Sequence, residues 1–340
     1  MIREYIAKLA DGQSLTREEA HTALVEIMGG EATAAQISAF ITALRIRGET
    51  PDVIAGCAQA MREYFTAINP HADVVVDTCG TGGDGASTFN ISTAAAFVTA
   101  GAGVAVAKHG NRSVSSKCGS ADVLAELGVD ITIPPEVTSE CLKTLGIAFL
   151  FAPTLHPAMK HAIGPRREIG IRTIFNILGP LSNPAGARHG VLGVYSKALV
   201  PILAEAAAAL GAERLFVVHG SDGLDEITLT GPTHVAEVNR GNVQTYDIRP
   251  EDTGFPPCRP EDLSGGDPKR NADLLKSILS GEQGPRRDIV LLNAAAAIVA
   301  GGRAADFKAG IARAAESIDS GSAQEKLDTL IAFTTAGGER

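Results

Sequence analysis

The chain has 340 residues, 45% of them hydrophobic and 20% charged, which excludes wholesale disorder, a fibrous repeat and a disulfide-dense miniature and leaves room for a large α/β body with a smaller appendage. Thirty Lys and Arg against 39 Asp and Glu give a net charge of −9, the wrong sign for a protein that coats nucleic acid or an anionic membrane. With no Trp and an aromatic fraction of 4%, base-stacking platforms are excluded too, and a small charged ligand is the expected partner.

In chain order, the opening from Met1 to Gln13 turns polar early and is not read as a secretory signal. Residues 1–66 show helical periodicity that fits four short helices. Thr16 with Glu19 and Thr33 with Gln36 have capping-box spacing, and Pro51 suits a first helical turn. Asn69-Pro70-His71 then interrupts the pattern just before the β-branched run Val74–Val76. A helical domain over 1–70 and an α/β domain over 71–340 are therefore expected. Beyond that point strands at Val74–Val76, Val104–Ala107 and Ile131–Ile133 alternate with helices from about Ser92 and over Ser120–Leu127, the rhythm of parallel βαβ units. A later strand is expected at Arg214–Val218, and covering helices over Ile289–Val299 and Ala304–Ile318. Residues 250–270, rich in Pro, Gly and Asp, read as a surface excursion. The five cysteines lack zinc or disulfide spacing and read as reduced thiols. The uncharged run Gly85–Ala107 is too polar for a membrane span, so a cytoplasmic protein is expected.

Chemistry collects in four places. Asp77-Thr-Cys-Gly-Thr-Gly-Gly-Asp-Gly85 follows a strand and leads through Ser87–Thr93 into a helix. Glycines let backbone N–H groups approach an anion, and a helix start adds unpaired donors. Gly80, Gly82 and Gly85 also match a dinucleotide fingerprint, but Lys108 rather than an acid follows the second strand, and no Lys-Ser or Lys-Thr completes a P-loop. A purely structural turn is the plain alternative; four glycines beside Asp84, Thr88, Asn90, Ser92 and Thr93 favour a phosphate cradle.

The second place is Lys108-His-Gly-Asn-Arg-Ser-Val-Ser-Ser116, in a stretch without a single acid between Asp84 and Asp122. A charge cluster is usually a solvated face, yet Lys108 and Arg112 in a serine-rich loop suit a diphosphate. The third runs from His156 through Arg166, Arg167 and Arg172 to Asn176, a basic segment of helical pattern whose apolar face includes Ile169, Ile171 and Ile174. Such a face is more often solvated than functional, although an Arg there can pair a carboxylate. The fourth is His219–Glu226, where Asp225 and Glu226 fit either an ordinary acidic turn or a Mg²⁺ site.

Together these residues resemble the anthranilate phosphoribosyltransferase family, and the likeness extends from Leu15–Ala20 and Gln36–Phe40 through both loops to Gly179–Pro184 and Asp225-Glu226. The resemblance implies a nucleoside-phosphorylase-like fold, with a small N-terminal all-α domain and a large α/β domain on a mainly parallel sheet. It implies a homodimer formed through the helical domain, with a contribution from about residues 172–184. The implied reaction moves 5-phosphoribose from phosphoribosyl diphosphate to the amine of anthranilate. Contacts to phosphoribosyl diphosphate are implied for Gly80, Gly83, Asp84, Thr88, Asn90, Ile91, Ser92, Thr93, Lys108, His109, Gly110, Asn111, Arg112, Ser113, Val114, Ser115, Ser116 and Ser120. Ser92, Asp225 and Glu226 would serve Mg²⁺, while Gly80, Asn111 and Arg166 would meet anthranilate. Lys108 and Arg112 are the expected catalytic cations, stabilising the departing diphosphate. The rival readings are a pyrimidine-nucleoside phosphorylase and a non-catalytic nucleic-acid-binding relative; no nucleic-acid or membrane partner is expected.

Overall fold

A computed structural model describes residues 1–113 and 117–337. Four helices open the chain: α1 (Ile2–Ala10), α2 (Arg17–Met28), α3 (Ala34–Arg47) and α4 (Pro51–Glu63). Their starts are encoded locally. The Thr16 hydroxyl accepts from the Glu19 amide at 3.2 Å while the Glu19 carboxylate accepts from the Thr16 amide at 2.8 Å, and Thr33 with Gln36 repeats the arrangement at 3.3 and 2.8 Å. Pro51 stands in the first turn of α4, behind a Thr50 hydroxyl that accepts from the Val53 amide.

The α/β part follows as β1 (Val75–Asp77), α5 (Ile91–Gly101), β2 (Ala105–Gly110), α6 (Ser120–Glu126), α7 (Pro135–Leu145) and β3 (Ile147–Phe151). Three helices come next, α8 (Ala152–Leu155), α9 (Lys160–Ile169) and α10 (Phe175–Leu178), then β4 (His189–Gly193), α11 (Leu199–Ala209), β5 (Arg214–Gly220), β6 (Thr233–Asn239) and β7 (Asn242–Ile248). The chain closes with α12 (Pro268–Leu279), α13 (Pro285–Ala300), α14 (Phe307–Asp319) and α15 (Ser322–Gly337). No helix among the described residues is long and apolar enough to cross a membrane.

The strands form one sheet in the order β3-β2-β1-β4-β5-β6-β7, parallel from β3 to β5 and antiparallel at β6 and β7. Both faces are covered, and side chains along β5 alternate between them. Phe216 and Val218 join the core under α5 and α13, whereas Val217 joins a second core shared by α11 and the N-terminal helices. Ile174, Phe175, Ile177, Leu178 and Leu181 belong to that second core as well. Because β2 lies on one side of β1 and β4 on the other, the strand order reverses at β1. The carboxyl ends of β1, β4 and β5 therefore open a crevice where a parallel sheet binds its ligand.

Several sequence expectations need correction. Ile131–Ile133 is not a strand: the Asp130 carboxylate captures the Thr132 amide at 2.8 Å and its hydroxyl at 2.7 Å, and Pro134-Pro135 launches α7 immediately afterwards. The third parallel strand is β3 instead. The expected apolar face of the basic segment breaks because α9 ends at Ile169 with Gly170 left-handed, at φ +64°, leaving Ile171 exposed while Ile174 is buried. Residues 250–270 are more than a surface excursion, since Leu263 is fully buried and residues 263–265 lie along residues 87–89.

Candidate active site

Loop one, residues 78–90, leaves β1 beside a buried carboxylate. Asp77 accepts from the His109 amide at 3.1 Å and from the Asn183 side chain at 2.7 Å, and Asn183 also donates to the Ala107 carbonyl, so this group braces β1 against β2. Burial pushes its carboxyl up to about 6, with Lys108 the largest opposing influence. The loop then folds over the ends of β4 and β5. The Thr81 amide donates to the Gly193 carbonyl and the Gly82 amide to the Asp225 carboxylate, each at 2.8 Å. A Cβ on Gly80 would stand 2.5 Å from that carboxylate, so only glycine lets the acid lie against the loop. On the other flank Arg172 donates to the Gly83 carbonyl with its guanidinium 4.2 Å from the centre of the Tyr195 ring.

Acidic side chains converge beneath this loop. Asp84 stands close enough to repel Asp225, and the Glu226 carboxylate accepts from the Ser92 amide at 3.1 Å, at the start of α5. Burial, then repulsion from Asp84, pushes the Asp225 carboxyl up; burial, then repulsion from Asp225, does the same to Glu226. The neighbouring Asp225 and Glu226 carboxylates with Ser92 offer only oxygen donors and an excess of negative charge. That set fits a hard divalent cation such as Mg²⁺.

Lys108 and Arg112, expected as a pair of loop cations, occupy different environments. Lys108 is 4% exposed, and its ammonium donates to the Thr78 carbonyl at 3.0 Å and the Thr78 hydroxyl at 3.3 Å. It passes under loop one, where its charge favours the ionised forms of Asp77 and Glu226. Arg112 lies at the surface in loop two, residues 111–119, with its guanidinium 3.0 Å from Asp122. The other Asp122 oxygen accepts from the amides of Ser113 and Gly119 at 3.0 and 2.9 Å. Burial alone would raise the Asp122 carboxyl; those amides and Arg112 outweigh it and hold it below the usual range. The Ser120 hydroxyl donates to the Asn111 carbonyl at 3.4 Å. Val114, Ser115 and Ser116 lie outside the described residues.

The two loops meet at Asn90, whose side-chain amide donates to the Cys118 carbonyl at 3.2 Å. Gly80, Gly83, Asp84, Ser92, Asp225 and Glu226 are thus gathered at the crevice, with Thr88 pairing with Ser264 across its rim and Ile91 and Thr93 buried in the first turn of α5. His109 and Gly110 end β2, and the His109 ring leads to the third basic region. Its Nδ1 donates to the Gly179 carbonyl at 3.1 Å, so its Nε2 must accept, and His156 Nε2 donates to it at 3.1 Å. Burial pushes His109 down to about 3 and His156 to about 4, leaving both rings neutral at physiological pH. Beyond them Arg166 is half-buried, 5.1 Å from the centre of the Phe175 ring, while Arg167 is exposed. No side-chain hydrogen bond or ion pair holds the Arg166 guanidinium among the described residues, and none joins it to Gly80 or Asn111.

Sequence reasoning missed Thr78, Asp122, Asn183 and Tyr195, and it gave His156 and Arg172 no separate part. Asn183 stood within the quoted Gly179–Pro184 turn, and Asp122 marked the end of the acid-free stretch; either was a usable signal.

Known families match along the whole chain. A model described as the a/b domain of a glycosyl transferase family covers residues 72–324, and one described as the helical bundle domain of such a family covers residues 3–65. An anthranilate phosphoribosyltransferase of Anaeromyxobacter sp. (strain K) is 58% identical over 335 residues, or 98% of this chain and 99% of the relative. The crystal structure of anthranilate phosphoribosyltransferase from Thermus thermophilus superposes with a TM-score of 0.93 at 45% identity, covering 97% of this chain and 99% of that one. The Saccharomyces cerevisiae enzyme in complex with PRPP and Mg gives 0.88 at 32% identity, covering 98% of each. Since this likeness takes in the bundle, the sheet and both loops alike, the chain belongs to the anthranilate phosphoribosyltransferase family of glycosyltransferases.

Proposed function

We propose that this chain transfers 5-phosphoribose from phosphoribosyl diphosphate to the amine of anthranilate, giving N-(5-phosphoribosyl)anthranilate and diphosphate in tryptophan biosynthesis. The observation that carries this reading is that Asp225 and Glu226 meet loop one and the start of α5 while the two loops are tied at Asn90, at the point where the strand order reverses. Ser92, Asp225 and Glu226 would hold Mg²⁺, and bound there the ion would neutralise charge developing on the diphosphate.

The remaining work belongs to the chain. Gly80, Gly83 and the Asn90–Thr93 turn, with the side chains of Asp84 and Thr88, orient the sugar donor. The segment from Lys108 to Ser116, with Ser120, contacts phosphoribosyl diphosphate. Arg112 stabilises the departing diphosphate as the anomeric C–O bond breaks. Lys108 acts from below, compensating the carboxylates and fixing Thr78. An aryl amine is already unprotonated at neutral pH, so it attacks the anomeric carbon with its own lone pair and sheds a proton once the C–N bond has formed. No Ser or Cys nucleophile is needed. Gly80 and Asn111 would border anthranilate, and the unpaired Arg166 guanidinium suits its carboxylate. The helical domain over residues 1–70 and the α/β domain over 71–340 would together exclude water from the site. We further hold that the protein is a cytoplasmic homodimer joined through the helical part.

Loss of anthranilate fluorescence on mixing with phosphoribosyl diphosphate and Mg²⁺ tests the activity; no loss with the folded protein overturns it. In the same assay Arg166→Ala should raise the anthranilate KM at least tenfold, while Arg167→Ala leaves it within twofold. Equal effects would remove Arg166 from the acceptor site.

A further inference from the structure

Asn90 is fixed from a third direction. Besides its bond to Cys118, its side-chain carbonyl accepts from the Asn271 amide at 2.9 Å and from the Cys118 thiol at 3.4 Å. Asn271 is 1% exposed, in the first turns of α12, and its own carbonyl accepts from the Gly266 amide at 2.7 Å. Residues just before Gly266 run along loop one: the Gly265 amide donates to the Ser87 carbonyl at 3.0 Å, and the Phe89 amide to the Leu263 carbonyl at 3.3 Å. A Cβ on Gly265 would come within 2.6 Å of the Phe89 nitrogen, so the two backbones touch.

These bonds decide which way the Asn90 amide faces. The Cys118 carbonyl can only accept from it, while the Cys118 thiol and the Asn271 N–H donate to it. The Asn90 oxygen is filled, and one of its two N–H groups is used. The other is left among the described residues for a ligand that accepts, such as a phosphate or ribose oxygen.

We propose that Asn271 is a positioning residue for the sugar donor, acting through Asn90 and holding its free N–H toward the diphosphate site. The inference rests on the transferase reading above. It predicts that Asn271→Ala raises the KM for phosphoribosyl diphosphate about tenfold, the scale of one preorganised hydrogen bond, with the anthranilate KM within twofold. A residue that only stabilised α12 would lower Tm without producing this split. Because Asn271 works through Asn90, the double variant Asn90→Ala/Asn271→Ala should be no worse than Asn90→Ala alone.

The experiment measures both KM values for the full chain with Mg²⁺, and by calorimetry the Kd for phosphoribosyl diphosphate. A wild-type protein that does not consume anthranilate defeats the transferase reading, and the calorimetric comparison of the variants still decides the role of Asn271. Wild-type turnover with a folded Asn271→Ala whose donor KM and Kd stay within twofold overturns the proposal, and so do multiplicative losses in the double variant. Should Asn271→Ala not fold, Asn271→Ser is measured in its place; if neither folds, Asn271 is a stability residue and the proposal fails.

Discussion

Loop one and loop two face the same crevice, yet they are held differently. Loop one is tied from several sides by the rest of the fold: the end of β4 through Gly193, Asp225 after β5, Arg172 before α10, and residues 263–265. Among the described residues of loop two, one carboxylate, Asp122, binds Arg112 and two loop amides. The cation beneath loop one, Lys108, is buried and committed to Thr78, whereas Arg112 is exposed and paired with Asp122 in the first turn of α6. An exposed ion pair contributes about 1 kcal/mol at most, so a diphosphate can draw Arg112 from Asp122 at little cost. A buried ammonium cannot be reassigned so cheaply. Loop one supplies a preset shape and loop two an exchangeable charge.

The largest effect should come from the acids beneath loop one. Asp225→Asn with Glu226→Gln is expected to lower turnover by about a thousandfold or more and to abolish Mg²⁺ saturation. Burial and like charge already disfavour ionisation of both carboxyls, so the neutral amides should leave Tm unchanged or higher. Initial rates across a Mg²⁺ titration, beside a melting curve, check both halves; a retained metal dependence would return the pair to an ordinary acidic turn. The two cations come next. Arg112→Ala should reduce kcat about a hundredfold while Tm stays nearly constant. Lys108→Met should lower activity and Tm together, because Asp77 and Glu226 lose their compensating charge. Matching responses from the two variants would erase the distinction between the loops.

Much of loop one was legible in the sequence because its chemistry is local. Glycines, a strand before them and a helix after them suffice to read an anion cradle. Lys108 and Arg112 looked equivalent because spacing does not reveal depth; only the pairing of β2 with β1 and β3 sends Lys108 underneath. β4 escaped notice for a related reason. His189-Gly-Val-Leu-Gly193 reads poorly as a strand, yet a Cβ on Gly190 would meet the Asp77 carbonyl at 2.0 Å and one on Gly193 the Asp225 carbonyl at 1.6 Å. The site itself requires the residues that hid the strand. The β6–β7 hairpin did carry a signal in Asn239-Arg-Gly-Asn242, whose central residues have φ of +49° and +83°. The segment at 263–265 carried none, since its pairing with residues 87–89 is backbone to backbone.

Acid should separate the base of loop two from its surface. His109 and His156 have folded-state values pushed well below the ordinary 6.5, to about 3 and about 4. Their contribution is therefore complete above pH 6.5 and is lost as the pH falls toward those values, because the unfolded chain takes up the protons first. The ring pair's own share of Tm should hold from pH 8 to about 6.5 and decline below it, opposed by the buried Asp77, whose raised carboxyl takes up its proton in the fold first. His156→Gln, which keeps an N–H donor and removes one titrating group, should flatten that decline. An unchanged slope would mean that the ring pair does not govern acid stability.

The smallest effect tests whether the bundle reaches loop one. At the C-terminal end of α3 the Tyr195 hydroxyl, pushed up by burial, feels Arg45 and Glu49, and the Tyr195 ring carries the Arg172 that holds Gly83. Thr33, at the opposite end of α3, closes its capping box. Thr33→Ala should cost about 1 kcal/mol, read as a small drop in Tm. Fraying of the first turn is not transmitted through the remaining turns of a helix packed by Ile37, Phe40, Ile41 and Leu44, so the KM for phosphoribosyl diphosphate should stay within error of wild type. A KM that rises with the lost cap would mean that α3 moves as a rigid lever on Tyr195, and that loop one is set by the bundle as well as by the sheet.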